Sequence, residues 1–148
     1  VAPLSLDELV AQFLDRTLPR AEWTHTAHLR VGAWHVHRFG AAGALPRLRD
    51  GIQRLNLAHG TPNTPTGGYH ETITAAYVSL IAAFLAAADP GQSLDHHVER
   101  LLEGTLGDRR VLLRFWSQET LMSPRARSTW VAPDSAPLAL PDDEPNSR

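Results

Sequence analysis

Apolar residues recur every three to four positions through most of the chain. Leu9, Val10, Phe13 and Leu14 share one helical face after Ser5, and Glu8 completes a capping box with that serine. A first helix is predicted from about 5 to 17, ended by Pro19. The segment EWTHTAHLRVGAWHVHRFG repeats the pattern through His25, Leu29, Gly32, Val36 and Phe39, with Thr24 or a start nearer Ala21 at its head and Gly40 as its stop. Leu45, Leu48, Ile52 and Leu55 carry a further helical stretch. Residues 60 to 68, GTPNTPTGG, interrupt the periodicity and read as a loop of the length that is more often functional than idle. From Gly68 to Ala88 the spacing of Ile73, Tyr77, Leu80, Ile81 and Phe84 gives the strongest helix, closed by Asp89-Pro90-Gly91. SLDHHVERLLEG, capped by Ser93, and DRRVLLRFWSQETL predict two more.

The remainder, SPRARSTWVAPDSAPLALPDDEPNSR, is aperiodic and rich in proline, and reads as a turn of helix at 124 to 129 followed by an extended strap. Strand signals are almost absent. The expected fold is therefore all-α: a single-domain bundle of five to six helices over residues 1–133, with 134–148 as a Pro-rich strap and not a separate domain.

Composition narrows the chemistry. The formal net charge is −2 and the basic residues are dispersed, so no footprint for nucleic acid is visible. The longest apolar run is Ala-rich and broken by Ser79, and no signal peptide is evident, so neither a membrane association nor export is expected and the expected location is cytoplasmic. The chain has no Cys, which removes disulfides, thiolate zinc, iron–sulfur clusters and thiol nucleophiles. All 14 basic residues are Arg; without Lys there is no Schiff base to pyridoxal phosphate and no Walker-type loop. His, with eight copies, is the residue to follow.

At about 100° per residue, His25, His28 and His35 fall in the sector shared by Leu29 and Gly32, whereas His37 falls outside it. His70 is in phase with Ile73 and Tyr77 at the start of the later helix. An i, i+3 pair of imidazoles plus a third from a facing helix is a recognised way to bind one metal ion, so His25, His28 and His70 are the candidate ligands. Glu22 extends the spacing as Glu22-x-x-His25-x-x-His28, and Glu71 is a candidate fourth ligand or general base, with Thr74 placed to orient the His70 ring. Zinc, iron or manganese would each suit such a donor set. Gly67 and Gly68 precede a helix start able to hold an anion, and Trp23, Asn63, Tyr69 and Tyr77 complete the candidate substrate-binding set, with Trp116 a further aromatic wall.

Each feature also has a plainer structural explanation. A buried His is often a hydrogen-bond donor of the core, Glu22 and Glu71 suit the positive end of a helix, and Thr66 would cap the helix that Gly67-Gly68 merely turns into. His96 and His97 fit a solvated face, and His59 a helix C-terminus. No GxSxG signals a serine nucleophile.

Three segments, EWTHTAHL (22–29), GTPNTPTGGYHETIT (60–74) and FWSQETLMSPRARSTWVAPDSAPL (115–138), together resemble an uncharacterised bacterial family of small helical proteins. That family shares W-T-H-x-A-H-L, N-T-x-x-G-Y-H-E-T and a W-S…A-R…W-V-x-P-D ending. The resemblance implies that Trp23, Thr24, His25, His28, Asn63, Tyr69, His70, Glu71 and Thr72 occupy motif positions, and that Trp130, Val131, Pro133 and Asp134 belong to the fold; Pro65 departs from the polar residue expected there.

The leading expectation is a metal-dependent enzyme, a hydrolase or lyase acting on a small anionic molecule. A non-catalytic sensor or carrier of a metal or small ligand, and a structural domain with a buried His/Glu/Thr network, are the alternatives.

Overall fold

The computed structural model describes residues 3–141; the last seven residues of the expected strap lie outside the described part. Six α-helices and no strand are present among the described residues: α1 Leu6–Asp15, α2 His25–Ala58, α3 Glu71–Ala87, α4 Leu94–Glu103, α5 Gln118–Leu121 and α6 Pro124–Ser128. The fold is the all-α arrangement that the periodicity predicts.

Local chemistry sets most boundaries. Ser5 and Glu8 form the reciprocal capping box at the head of α1, whose apolar stripe buries Leu6, Leu9, Val10 and Phe13. Thr24 caps α2 by accepting from the Ala27 amide at 3.2 Å. Gly40 adopts φ 73, ψ 171 inside α2 and breaks it into two pieces, in keeping with the stop expected there. The long α2 is the spine, packed against α1, α3 and α4. Trp116, Phe13, Leu18, Leu29, Leu55, Leu80 and Ile81 fill the core between them.

Three predicted boundaries are corrected. Glu22 lies in a short 3-10 turn, Arg20–Glu22, ahead of α2, so it does not share a helix with His25 and His28. The helix predicted from Gly68 begins at Glu71, and its cap is His70 and not Thr66. The stretch 108–121 is not one helix. A 3-10 turn, Val111–Arg114, is separated from the four-residue α5 because Ser117 is extended and caps α5 through the Thr120 amide.

The strap as far as Pro141 runs alongside the bundle. Trp116 Nε1–H donates to the Val131 carbonyl at 2.9 Å, and the Ser135 amide donates to the Phe115 carbonyl at 2.8 Å. Asp134 accepts from the Ser117 amide and hydroxyl and from the Thr120 hydroxyl, at 2.7, 2.8 and 2.6 Å. Those three donors hold its carboxyl down at about 2, the Thr120 bond contributing most.

Candidate functional site

The residues predicted to act together divide into two groups. The first is a fastener. His70 sits at the N-cap of α3, where Nδ1 accepts from the Ile73 amide at 3.1 Å while Nε2–H donates to the Leu121 carbonyl at 2.7 Å. Both ring nitrogens are occupied, which fixes the neutral Nε2–H tautomer and leaves no lone pair for a metal. Burial holds its pKa below the ordinary value, the Leu121 bond opposing.

Glu71 is likewise engaged. Arg49 grips it with two parallel bonds, Nε to Oε1 at 2.9 Å and a terminal nitrogen to Oε2 at 2.8 Å, and the Tyr69 hydroxyl donates to Oε1 at 2.8 Å. The Arg49 bonds lower its pKa, so the carboxylate is a poor base, and three donors already engage it. Thr74 donates to the His70 carbonyl at 2.8 Å, which orients the backbone and not the imidazole. Thr72, fully buried, donates to the Thr129 carbonyl at 2.8 Å and accepts from the Val131 amide at 3.1 Å.

The glycine loop joins the same fastener. Asn63 Oδ1 accepts from the Asn56 side chain and from the Tyr69 amide, both at 3.0 Å, and its Nδ2–H donates to the Gln53 carbonyl at 3.1 Å. Gly68 has φ 80 and lies so close to Pro62 that an added Cβ would meet the Pro62 carbonyl at 2.5 Å. Its own carbonyl accepts from Arg127 at 2.7 Å. Gly67 pairs with Thr64 in an isolated bridge. Asn63, Gly67, Gly68, Tyr69, His70 and Glu71 therefore shape a loop and a helix start, and none of them lines the cavity described next.

The second group is that cavity, of about 960 Å³, between α2, α3 and the segment from Gly107 to Met122. His25, His28, Trp23, Tyr77 and Thr74, all expected site residues, lie on its wall. Leu29, Ile52, Ile73, Val78, Ile81 and Leu112 supply an apolar floor. Its size and its mixture of apolar lining with a few polar groups are those of small-molecule sites.

The polar end is built on the first turn of α2. His28 stacks on Trp23 with ring centroids 3.7 Å apart, and its Nδ1–H donates to the Thr24 carbonyl at 2.8 Å, so Nε2 carries the free lone pair. His28 is exposed on the cavity wall, and desolvation by the protein atoms around it pushes its pKa down to about 4. His25 meets Tyr77 edge-on at 5.7 Å. Burial lowers the His25 pKa, the nearby Leu106 carbonyl opposing and the Arg109 charge assisting. Its Nε2 is buried and has no hydrogen-bond partner among the described residues. Tyr77 is pushed up to about 12, chiefly by burial, and stays a neutral phenol.

Spacing brings His25 and His28 together as expected, but His70 belongs to the fastener. Among the described residues no group of three or more His, Asp or Glu is gathered closely enough to hold a metal ion. Trp116 is a core residue and not a pocket wall. Arg109, Arg110 and Gln118 line the cavity and were missed, because they fall in a stretch predicted as one helix that is in fact broken, which changes the direction each residue faces. The only available hint was the break at Gly107-Asp108 ahead of two consecutive arginines.

No family model matches the chain, and neither the curated proteins nor the solved structures searched contain a significant match. No helix among the described residues is long and apolar enough to cross a membrane.

Proposed function

We propose that the protein binds a small organic molecule in the cavity between α2 and α3, with the His25 and His28 rings at its polar end. The observation carrying this reading is a cavity large enough for a ligand whose wall holds the exposed His28 ring, its Nε2 free, beside His25 and Tyr77. His28 Nε2 and the Tyr77 hydroxyl extend the same polar end. Long-range nitrogen–proton NMR of the imidazoles, recorded while a fragment library is titrated in, tests this. Hits must shift the His25 and His28 ring nitrogens; hits that bind without touching either ring would refute the assignment.

A second reading, acid–base catalysis on that ligand, has one observation in its favour. A neutral imidazole and a protonated phenol, His25 and Tyr77, lie across 5.7 Å, a base and an acid beside one space. The metal-dependent hydrolase or lyase draws less support, because both ring nitrogens of His70 are hydrogen-bonded, Glu71 is gripped by Arg49 and Tyr69, and neither residue lines the cavity that holds His25 and His28. Two imidazoles alone make an incomplete donor set for zinc, iron or manganese.

A further inference from the structure

The cavity has an uneven charge. Its wall contains two arginines, Arg109 and Arg110, and no carboxylate. Both arginines are exposed, and among the described residues neither has a carboxylate within ion-pair distance, the pairs there being Arg49–Glu71 and Arg54–Asp50. Asp108, next to Arg109 in sequence, is close enough for its charge to act on His25 and Tyr77. It does not line the cavity, and one of its oxygens accepts from the Arg110 amide at 3.0 Å to close its own turn. With His25 and His28 neutral, the mouth carries positive charge and the floor is apolar.

We propose that the ligand is an organic carboxylate on an apolar body, its acid group at Arg109 and Arg110 and its body along Leu29, Ile52, Ile73 and Ile81. This rests on the reading of the cavity as a small-molecule site and adds the chemical class. Arginine suits the task because its planar fork pairs with both carboxylate oxygens, and a cation at a mouth of mixed exposure keeps part of its hydration until the ligand arrives. The stacked Trp23 and His28 rings give a flat face against which an aryl or unsaturated portion can lie. A hydroxyl or keto group further along the ligand reaches the polar end at His25 and Tyr77. The same wall disfavours a cationic ligand, which would meet two guanidiniums with no carboxylate on the wall to compensate.

The test uses a panel of straight-chain and aryl carboxylates, each paired with its own primary amide, titrated by calorimetry into the full chain and into an Arg109→Gln/Arg110→Gln variant. Both side chains are exposed, so the variant is expected to melt as the parent does, which circular dichroism checks. The expected result is that acids bind about tenfold or more tightly than their amides. In the variant that preference disappears while amide affinity stays, and in the parent it shrinks as salt is raised. Amides equal to acids in the parent, or a preference that survives the double substitution, overturn the carboxylate assignment and leave the cavity reading standing. Failure of every acid and every amide to bind overturns both.

Discussion

Replacing His70 by alanine separates a fastener from a metal site. Alanine removes the acceptor that caps α3 at the Ile73 amide, a loss worth about 1 kcal/mol. It also removes the donor to the buried Leu121 carbonyl, and an unsatisfied buried acceptor costs about 1–3 kcal/mol. Together these predict a destabilisation of about 2–4 kcal/mol, a large share of the marginal stability of a domain this size. Asparagine is the informative control: it caps as well as serine but is too short to reach Leu121, so His70→Asn should regain about 1 kcal/mol of the loss. Urea unfolding followed by tryptophan fluorescence, with Trp116 buried as reporter, measures both, at about pH 7.5 where histidine is neutral in the folded and unfolded chain. The reasoning fails if the alanine variant keeps its stability to within about 0.5 kcal/mol, the usual range for surface changes. A variant that kept its stability but released a bound divalent ion would restore the ligand role that its spacing predicts.

Acid should weaken the fold earlier than carboxylates alone dictate. His25, His35 and His70 all have folded pKa values below the ordinary one, so between their folded values and about 6.5 the unfolded chain binds more protons. Stability is then full above about pH 6.5 and falls as pH drops through that window, by up to about 1.4 kcal/mol per pH unit for each such imidazole; a flat profile from pH 7 to 5 would falsify the burial argument. Gly68→Ala should cost about 2–5 kcal/mol in denaturant unfolding, combining positive φ with the overlap on Pro62, whereas Gly60→Ala, at the same φ of 80 with nothing within 4 Å, should cost about 1–2; equal losses would show the close approach to be immaterial. Thr72→Val removes two buried hydrogen bonds and should cost about 2–3 kcal/mol while speeding amide exchange at Val131; unchanged exchange there would place the strap's anchor elsewhere. Asp134→Ala should free the Ser117 amide to exchange without altering α3; protection unchanged at Ser117 would mean that the carboxylate does not hold the strap.

Where the chain's structure follows from neighbours in sequence, its pattern is readable. The Ser5–Glu8 box, the Thr24 cap and the Gly40 stop are all i to i+3 or single-residue effects, and all three occur as spacing dictates. That His25 and His28 share one wall of the cavity is legible for the same reason, since a turn of helix fixes it, although His28 is exposed where its phase predicts an interior ring. What escapes is decided at long range. Arg49 reaches Glu71 across 22 positions and His70 reaches Leu121 across 51, so a carboxylate and an imidazole that look chemically available are taken by partners no local pattern names. The imidazole cap is a second reason, since histidine is not among the residues that announce a helix start. Residues 108–121 fail as one helix because Asp134, 17 positions beyond Ser117, helps to stabilise an extended residue where apolar periodicity asks for a helical one.

The two groups of polar residues are nevertheless mechanically linked. The carbonyl that His70 holds belongs to Leu121, whose side chain lines the cavity, and Gln118 and Met122 on either side of it line the cavity too. The same short helix is tied from its other end by Asp134 to Ser117 and Thr120. A four-residue helix has no stability of its own, because the cost of nucleating a turn is not recovered over so few bonds. The wall that α5 gives the cavity therefore depends on His70 and Asp134. The segments GTPNTPTGGYHETIT and FWSQETLMSPRARSTWVAPDSAPL thus add rigidity as well as the wall residues Ile73, Thr74, Gln118, Leu121 and Met122, whereas EWTHTAHL acts by contact. Preorganisation of this kind would reduce the ordering cost of binding, and it accounts for so many polar residues standing near the cavity without entering it.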